Sequence, residues 1–190
     1  MFADDTVLYS INSNEKDVLS DFQCDMNNVF NWLSLNILFV NIIKSCTMFV
    51  SNKATAEHMN LSMNNQLMES VKETTYLGVT LCDDLSWNKQ ISGTCSKIGY
   101  GINILYRLRF KVSQSDMLRI YNTIIQPYID YCLTIWGYAP LSQITRVQRL
   151  QNRIARIISR NYEIDISPSV LLARLGIMNI VKRRDYFMSI

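Results

Sequence analysis

Hydrophobic positions recur with two different periods along the chain, and the change between them divides it into two parts. In the first part, apolar residues at steps of three and four across 18–33 predict an amphipathic helix that begins near Asn14. The apolar runs 46–50 and 74–81 predict strands, and Gly78 within the second run marks a bulge or a close backbone approach. Together with a hairpin at the start of the chain, these elements give the order hairpin, helix, strand, hairpin and predict a mixed unit of helix and short antiparallel strands.

From Asn88 onward, helical periodicity dominates and strand signals fade. The predicted helices cover residues 91–105, 115–136, 141–160, 167–175 and 179–186. Pro127 lies inside the second of them and is expected to kink or split it, because proline lacks the amide hydrogen of the helix ladder. The sequence therefore predicts an α+β fold with two domains, residues 1–87 and 88–190.

The composition is that of a globular protein that can bury a core. Of the 190 residues, 48% are hydrophobic and 18% are charged. The uncharged stretch 26–43 contains five asparagines, whose amides are costly to bury in lipid, so we predict core rather than membrane. Five dispersed cysteines argue against a zinc site and favour an intracellular protein, and a single histidine, His58, excludes a histidine-based triad.

The charged residues are divided unequally between the two parts of the chain. Residues 1–85 carry 4 lysines, no arginine and 11 acidic residues, whereas residues 86–190 carry 4 lysines, 11 arginines and 5 acidic residues. The formal charges are −7 and +10, against +3 for the whole chain. An acidic part suits metal cations, and an arginine-rich part suits the phosphates of a polyanion backbone.

The predicted helix 141–160 concentrates positive charge on one face. Its apolar stripe consists of Val147, Leu150, Ile154 and Ile157. About 110° around the helix lies an arginine stripe formed by Arg146, Arg149, Arg153, Arg156 and Arg160. No Asp or Glu lies between residues 131 and 162 to neutralise this stripe. A solvated helix surface remains an alternative, but we favour phosphate contact, since guanidinium groups pair with phosphate oxygens.

Two adjacent carboxylates, Asp4 and Asp5, lie between short runs of apolar, strand-forming residues. A hairpin would hold both acids at one exposed edge, and carboxylates are hard oxygen ligands suited to Mg²⁺. The pattern suggests phosphoryl transfer by paired divalent ions, which usually needs a carboxylate from another segment as well. A solvated Asp-Asp turn is the alternative.

Four segments of the chain resemble, in order, the motifs of one protein family. Phe-Ala-Asp-Asp-Thr at 2–6 and Trp-Leu at 32–33, followed by Leu38, Asn41, Lys44 and Ser45, resemble two consecutive palm motifs. Tyr-Leu-Gly-Val at 76–79 with Leu-Ser-Trp at 85–87 resembles the primer-grip hairpin. The residues Pro127, Tyr128, Tyr131, Cys132, Trp136 and Gly137, with Leu-Gln-Asn at 150–152, resemble the helical region that includes the thumb. The family consists of the reverse transcriptases of non-LTR (LINE-like, jockey-like) retrotransposons, which are RNA-directed DNA polymerases.

The resemblance implies two-metal nucleotidyl transfer with Mg²⁺, an RNA template, a DNA primer and dNTP, with no membrane and no further small-molecule cofactor. Asp4 and Asp5 would be the metal ligands and catalytic acids. Lys44 would protonate or neutralise the departing pyrophosphate, or else be an ordinary surface residue. The residues expected to contact the primer backbone are Tyr76, Leu77 and Gly78, with a buried hairpin as the alternative. Helix packing rather than base stacking is expected of Tyr121, Tyr128, Tyr131, Trp136 and Tyr138.

The resemblance also implies that parts of the parent enzyme lie upstream of this sequence. In the family, a further metal-binding Asp and the fingers precede the Asp-Asp motif, and here Asp4 lies at the start of the chain. We therefore expect a truncated palm followed by a thumb-like helical region, inactive as a polymerase alone. A noncatalytic nucleic-acid-binding remnant and a relic without function remain open. Cys82 replaces a usual Asp, which puts a local turn in doubt.

Overall fold

A computed structural model describes residues 5–12, 15–51, 60–162 and 165–190 of the chain. Within these ranges the chain forms α-helices and short strands, which confirms the predicted α+β class. It divides into two compact units. The first unit comprises Met1–Thr74 and Cys82–Leu85, and the second comprises Thr75–Leu81 and Ser86–Ile190.

The first unit is built on one long helix and several two-residue strands. These elements are α1 (Glu15–Leu35), a 3₁₀ helix (Ile42–Lys44), β1 (Cys46–Thr47), β2 (Ser62–Met63), β3 (Gln66–Leu67) and β4 (Glu69–Ser70). The apolar face of α1 buries Met26 against Leu61 and Met63. The Gln23 side chain reinforces this contact, because its amide donates to the Ser62 carbonyl and its oxygen accepts from the Ser62 amide, at 2.7 and 3.0 Å. The helix predicted from residue 14 is therefore confirmed.

The strands of the first unit are shorter than predicted, and their pairing is mixed. The predicted strand 46–50 is regular only over β1. β1 pairs with β4 in parallel, so the prediction that all the short strands are antiparallel is wrong. β2 and β3 do form an antiparallel hairpin, whose turn residues Asn64 and Asn65 both have positive φ, as a tight two-residue turn requires.

The uncharged stretch 26–43 is only partly core. Met26 is 2% exposed, whereas Phe39 and Ile43 are each 94% exposed. Strands of two residues cover too little area to bury the chain that follows α1, so the prediction of core for this whole stretch is wrong. None of the helices in the described residues is long and apolar enough to cross a membrane.

The second unit contains the remaining helices of the described chain. They are α2 (Asn88–Leu108), α3 (Gln114–Ile120), a π-helical turn (Tyr121–Ile125), α4 (Gln126–Asp130), α5 (Leu133–Trp136), α6 (Leu141–Ser159), α7 (Pro168–Arg174) and α8 (Ile180–Met188). The predicted helix 115–136 is thus four pieces. Pro127 sits in the first turn of α4, directly after the π-helical turn, and the chain changes direction only at Cys132, which has a φ of +52°.

The core of the second unit lies between α2 and α6. Ile98 and Leu105 of α2 and Ile154 of α6 are completely buried. Fully burying one such side chain contributes about 1.5–3 kcal/mol. Gly101 lets α2 approach the π-helical turn closely, because a Cβ at this position would lie 2.8 Å from Cδ1 of Ile125.

Residues 74–81 are not one bulged strand but two strands joined by a turn, and they form the hairpin expected last in the first part of the chain. β5 (Glu73–Tyr76) pairs with β6 (Val79–Cys82), and Leu77 and Gly78 connect them. Leu77 and Gly78 have φ values of +48° and +75°. Two successive positive φ angles are typical of the type I′ turn, whose twist matches that of a two-stranded hairpin. The hairpin implied by the family resemblance is therefore present.

Candidate nucleic-acid interface

The unequal distribution of charge follows the two structural units. Residues 75–81 carry no charged side chain, so the first unit retains the formal charge of −7 and the second retains +10. The second unit is therefore a strongly basic body formed mainly of helices. Such a body attracts polyanions through its summed field, in addition to any individual contact.

The arginine stripe begins on the exposed face of α6. Val147 and Ile154 on the apolar stripe are completely buried, as their spacing predicted. Arg146, Arg149 and Arg153 are exposed. Arg160 lies beyond the last residue of the helix, where it adopts a left-handed conformation with a φ of +53°. Four of the five predicted arginines therefore lie on the helix itself.

Three arginines of the stripe bind other segments of the second unit. Arg146 donates to the Ser92 hydroxyl at 3.2 Å. Arg156 donates to the Ile166 carbonyl at 3.2 Å. Arg160 donates to the Val112 carbonyl at 2.6 Å.

Arg149 and Arg153 differ from these three. Each is exposed, and neither forms a hydrogen bond or ion pair with the part of the chain that the structure describes. They lie four residues apart and therefore on the same helix face. These two guanidinium groups are the members of the stripe best placed to bind an external phosphate.

Tyr131 joins two of the sequence motifs that are far apart in the chain. Its hydroxyl donates to the Leu77 carbonyl at the hairpin turn. Its ring lies against Gly78, where a Cβ would be 3.5 Å from Cε1 of the tyrosine. Sequence reasoning missed this contact, although it included both residues in the motifs. Gly78 indicated a bulge or a close backbone approach at this position, but nothing in the pattern identified Tyr131 as the residue that contacts it.

The backbone of Tyr131 is fixed on both sides. Its amide donates to the Pro127 carbonyl at 3.0 Å, and its carbonyl accepts from the indole Nε1 of Trp136 at 2.8 Å. Trp136 is completely buried. These two hydrogen bonds connect Pro127, Tyr131 and Trp136, three residues of the sequence motif 127–137.

The five aromatic residues for which helix packing was expected fall into two groups. Tyr121 and Trp136 are completely buried, as expected. Tyr128, Tyr131 and Tyr138 are 42%, 50% and 59% exposed, so these three residues are only partly packed. Two of them lie beside cations, because Lys97 is 5.4 Å from the Tyr128 ring and Arg184 is 4.3 Å from the Tyr138 ring.

A buried network of hydrogen bonds connects the π-helical turn with α4, α6 and α8. The Tyr121 hydroxyl donates to Oε1 of Gln126 and accepts from Nε2 of Gln151 at 3.1 Å. Gln126 in turn donates to Asp130 at 2.7 Å, and Asp130 binds Arg183 of α8. Burial raises the pKa of Tyr121 to about 12, against the opposing effect of the hydrogen bond from Gln151. The network keeps buried polar groups paired and fixes α4 relative to α6 and α8.

The predicted catalytic residues lie in the first unit. Asp4 and the residues before it are outside the described residues. Asp5 is exposed and forms an isolated β-bridge, but residues 6–12 are irregular, so the strand predicted after the two acids is absent. Lys44 is exposed and is the last residue of the 3₁₀ helix. The side chain of Asn41 caps the N-terminus of this helix by accepting a hydrogen bond from the Lys44 amide at 3.3 Å. Within the described residues, no three His, Cys, Asp or Glu side chains gather into a potential metal site.

The chain is similar in sequence to polymerases of mobile elements. It is 37% identical over 87 residues, 44% of this chain, to the probable RNA-directed DNA polymerase from transposon X-element of Drosophila melanogaster. It is 26% identical over 127 residues, 65% of this chain, to the RNA-directed DNA polymerase from mobile element jockey of Drosophila funebris. The jockey polymerase of Drosophila melanogaster is 24% identical over 161 residues, 83% of this chain.

The chain spans only a small share of these relatives, namely 10%, 13% and 18% of their lengths. No protein-family model and no solved structure matches it. The jockey match that covers 83% of the chain is too long to be confined to either structural unit. The resemblance found in the sequence is thus confirmed, since the curated homologues of this chain are RNA-directed DNA polymerases of non-LTR retrotransposons.

Proposed function

We propose that this chain binds primer and template as part of an RNA-directed DNA polymerase of the non-LTR retrotransposon type. The observation that carries the proposal is the joint presence, in one unit of charge +10, of the exposed Arg149 and Arg153 and the turn at Leu77 and Gly78. A guanidinium group can donate two hydrogen bonds to the oxygens of one phosphate. An exposed turn that contains glycine lets a nucleic-acid backbone approach closely, because glycine has no side chain. The partners are an RNA template and a DNA primer.

For the intact enzyme we assign the catalytic chemistry to the acidic unit. Adjacent carboxylates are donors of the kind that Mg²⁺ prefers, and the exposed Asp5 fits such a role. Bound Mg²⁺ would activate the attacking hydroxyl and stabilise the departing pyrophosphate. Asp4 and Asp5 would hold the ion, and Lys44 would neutralise or protonate the pyrophosphate.

A noncatalytic nucleic-acid-binding role is the second candidate. It is favoured by a specific observation, since Arg149 and Arg153 are exposed and their side chains form no hydrogen bond or ion pair with other described residues. Binding through these arginines needs nothing from the acidic unit. The two candidates therefore share the interface and differ in whether Asp4 and Asp5 act.

Binding is tested by fluorescence anisotropy of a labelled RNA–DNA hybrid with the full chain. We expect the double variant Arg149→Gln/Arg153→Gln to weaken binding by about tenfold or more, because two phosphate contacts are lost. Arg174→Gln is the matched control, since Arg174 is exposed but lies on α7. The proposed interface would be wrong if the chain did not bind the hybrid, or if the affinity changed neither with salt concentration nor in the double variant.

Primer extension on an RNA template with Mg²⁺ tests whether the chain is catalytic by itself. Extension by the chain that is abolished in Asp4→Asn or Asp5→Asn supports the enzyme and overturns our expectation that the chain is inactive alone. Hybrid binding without extension is expected of both candidates for this polypeptide alone, and it supports the interface that they share. Extension that survives both substitutions would refute the catalytic assignment.

A further inference from the structure

We infer that Tyr131 is a positioning residue that orients the peptide between Leu77 and Gly78 so that the Gly78 amide can donate to a phosphate oxygen of the bound nucleic acid. The inference rests on the proposed function of the hairpin turn as a contact for the primer backbone. It adds the residue that holds the turn and names the atom that makes the contact. Both are features of the second unit.

A hydrogen bond from outside the turn would stabilise it, because its first residue, Leu77, is not a glycine. Leu77 has a φ of +48°, a left-handed conformation in which the Cβ of an L-residue crowds the following carbonyl. Gly78, with a φ of +75°, has no Cβ and tolerates its own conformation. A contact that holds the Leu77 carbonyl therefore favours this turn over competing backbone conformations.

Tyr131 supplies that contact from a fixed position. Its hydroxyl donates to the Leu77 carbonyl, and its ring packs beside Gly78. The peptide groups on either side of Tyr131 are held by the Pro127 carbonyl and the Trp136 indole. The turn is thereby connected to a residue that has little freedom to move.

The geometry of the trans peptide between Leu77 and Gly78 determines the direction in which the Gly78 N–H points. The described chain contains no cis peptide bond, so the carbonyl of Leu77 and the N–H of Gly78 point in opposite directions from one peptide plane. Because the carbonyl points to Tyr131, the Gly78 N–H points away from it. Gly78 is exposed, and its amide donates no hydrogen bond within the described residues. An unpaired backbone amide beside a glycine is a suitable donor for a phosphate oxygen.

The test compares Tyr131→Phe with Tyr138→Phe in the full chain. Both variants remove a hydroxyl from a half-exposed tyrosine and keep the ring, but only Tyr131 donates to the turn. The probe is an RNA–DNA hybrid, and the readouts are the Gly78 amide resonance in an ¹⁵N-labelled chain, the hybrid Kd and its salt dependence. Equal melting temperatures of the two variants show that the fold is retained.

We expect the hybrid to shift the Gly78 resonance in the unchanged chain and in Tyr138→Phe, and to lose that shift in Tyr131→Phe. The Kd of Tyr131→Phe should rise about threefold to tenfold, the loss of one hydrogen bond. The slope of log Kd against log salt should stay unchanged, since a neutral amide displaces no counterion. A merely structural tyrosine would not produce this combination.

The outcomes distinguish this inference from the proposed function. If the unchanged chain binds the hybrid but Tyr131→Phe keeps both the Gly78 shift and the Kd, the inference is wrong and the proposed function stands. If the unchanged chain binds no hybrid, the proposed function fails and the inference fails with it. If Tyr131→Phe instead lowers the salt slope, Tyr131 acts through the arginines and the role assigned to Gly78 is wrong.

Discussion

Arg183 of α8 and Asp130 at the end of α4 form a two-point ion pair, in which Nε and Nη2 of the arginine each lie 2.6 Å from a different carboxylate oxygen. The two side chains are only 25% and 22% exposed. The hydrogen bond to Asp130 raises the pKa of Arg183 further, against the opposing effect of burial. The pair thus connects α8 to the segment that carries Tyr131.

Removing one member of this pair should destabilise the second unit. In Arg183→Met the Asp130 carboxylate stays largely buried without its counterion, so the free energy of unfolding should fall by about 2 kcal/mol. Urea denaturation followed by circular dichroism measures the change. Lys182→Met, at the exposed neighbouring position, is the control and should change the stability by less than about 0.5 kcal/mol.

A double-mutant cycle separates the pair from general packing. Asp130→Asn/Arg183→Met should be less destabilised than the sum of the two single variants, by about 1–3 kcal/mol. Strict additivity would mean that the two-point contact adds no stability of its own.

Tyr121→Phe should destabilise the buried network at neutral pH. The substitution removes the hydroxyl shared by Gln126 and Gln151, which costs about 1–2 kcal/mol because these amides are buried. Chemical denaturation at pH 7 measures the loss. Tyr138→Phe, at a half-exposed position, should leave the stability nearly unchanged.

The stability of the unchanged chain should also fall at alkaline pH through Tyr121. Its pKa is raised by burial to about 12 in the folded state, whereas in an unfolded chain it is about 10. Below pH 10 both states are protonated and the full stabilisation is present. As the pH rises from 10 to 12 the unfolded state loses its proton first, so this contribution falls by about 2 kcal/mol over that range.

Comparing the unchanged chain with Tyr121→Phe isolates this effect from the other ionising groups. The difference in unfolding free energy between the two proteins should shrink as the pH is raised from 9 towards 12. Parallel stability curves across this range would show that Tyr121 does not have a raised pKa.

Gly101→Ala and Gly99→Ala should change the stability in opposite directions. A Cβ at Gly101 would lie 2.8 Å from Cδ1 of the buried Ile125, and the resulting overpacking costs about 1–3 kcal/mol. At Gly99 nothing lies within 4 Å of the added atom, so Ala should stabilise α2 by about 0.5–1 kcal/mol. Thermal melts of the two variants provide the comparison. Equal effects would contradict the close packing at Gly101.

Hybrid binding should depend on salt through Arg149 and Arg153. Each phosphate neutralised by a cation contributes about 0.9 to the slope of log K against log salt for B-form DNA. The double variant Arg149→Gln/Arg153→Gln should therefore reduce the slope by roughly 1.5–2. Titrations at three or four salt concentrations give the slope. A weaker Kd with an unchanged slope would mean that these arginines do not contact phosphates.

Helical periodicity predicted most of the fold, because an amphipathic face depends only on residues nearby in sequence. The helices α1, α2, α6, α7 and α8 were all found close to their predicted positions. The pattern predicted a hairpin in this region but did not place its turn at Leu77 and Gly78, since these residues lie in a continuous apolar run that resembles one strand. The division of 115–136 was misjudged because the π-helical turn accommodates Pro127 and the change of direction comes at Cys132.

The sequence could predict which side of α6 carries the candidate interface, but not which of its arginines are available to a ligand. Spacing placed the arginines on one side of α6, but which of them bind other segments depends on Ser92, Val112 and Ile166, which are remote in sequence. The same limit applies to the contact between Tyr131 and Leu77. Local patterns indicate which residues share a side of a helix, whereas tertiary packing decides which of them are left for a ligand.

Because the Leu77–Gly78 turn belongs to the second unit, a fragment that is to keep this unit intact must include the turn. A shorter polypeptide that starts at Asn88, the boundary expected from the sequence, would contain Tyr131 but not the carbonyl that its hydroxyl binds. Such an excised helical half would expose the ring face that Gly78 normally covers and lack the turn proposed to meet the primer. Reconstitution from two pieces should therefore keep residues 75–81 joined to the helices.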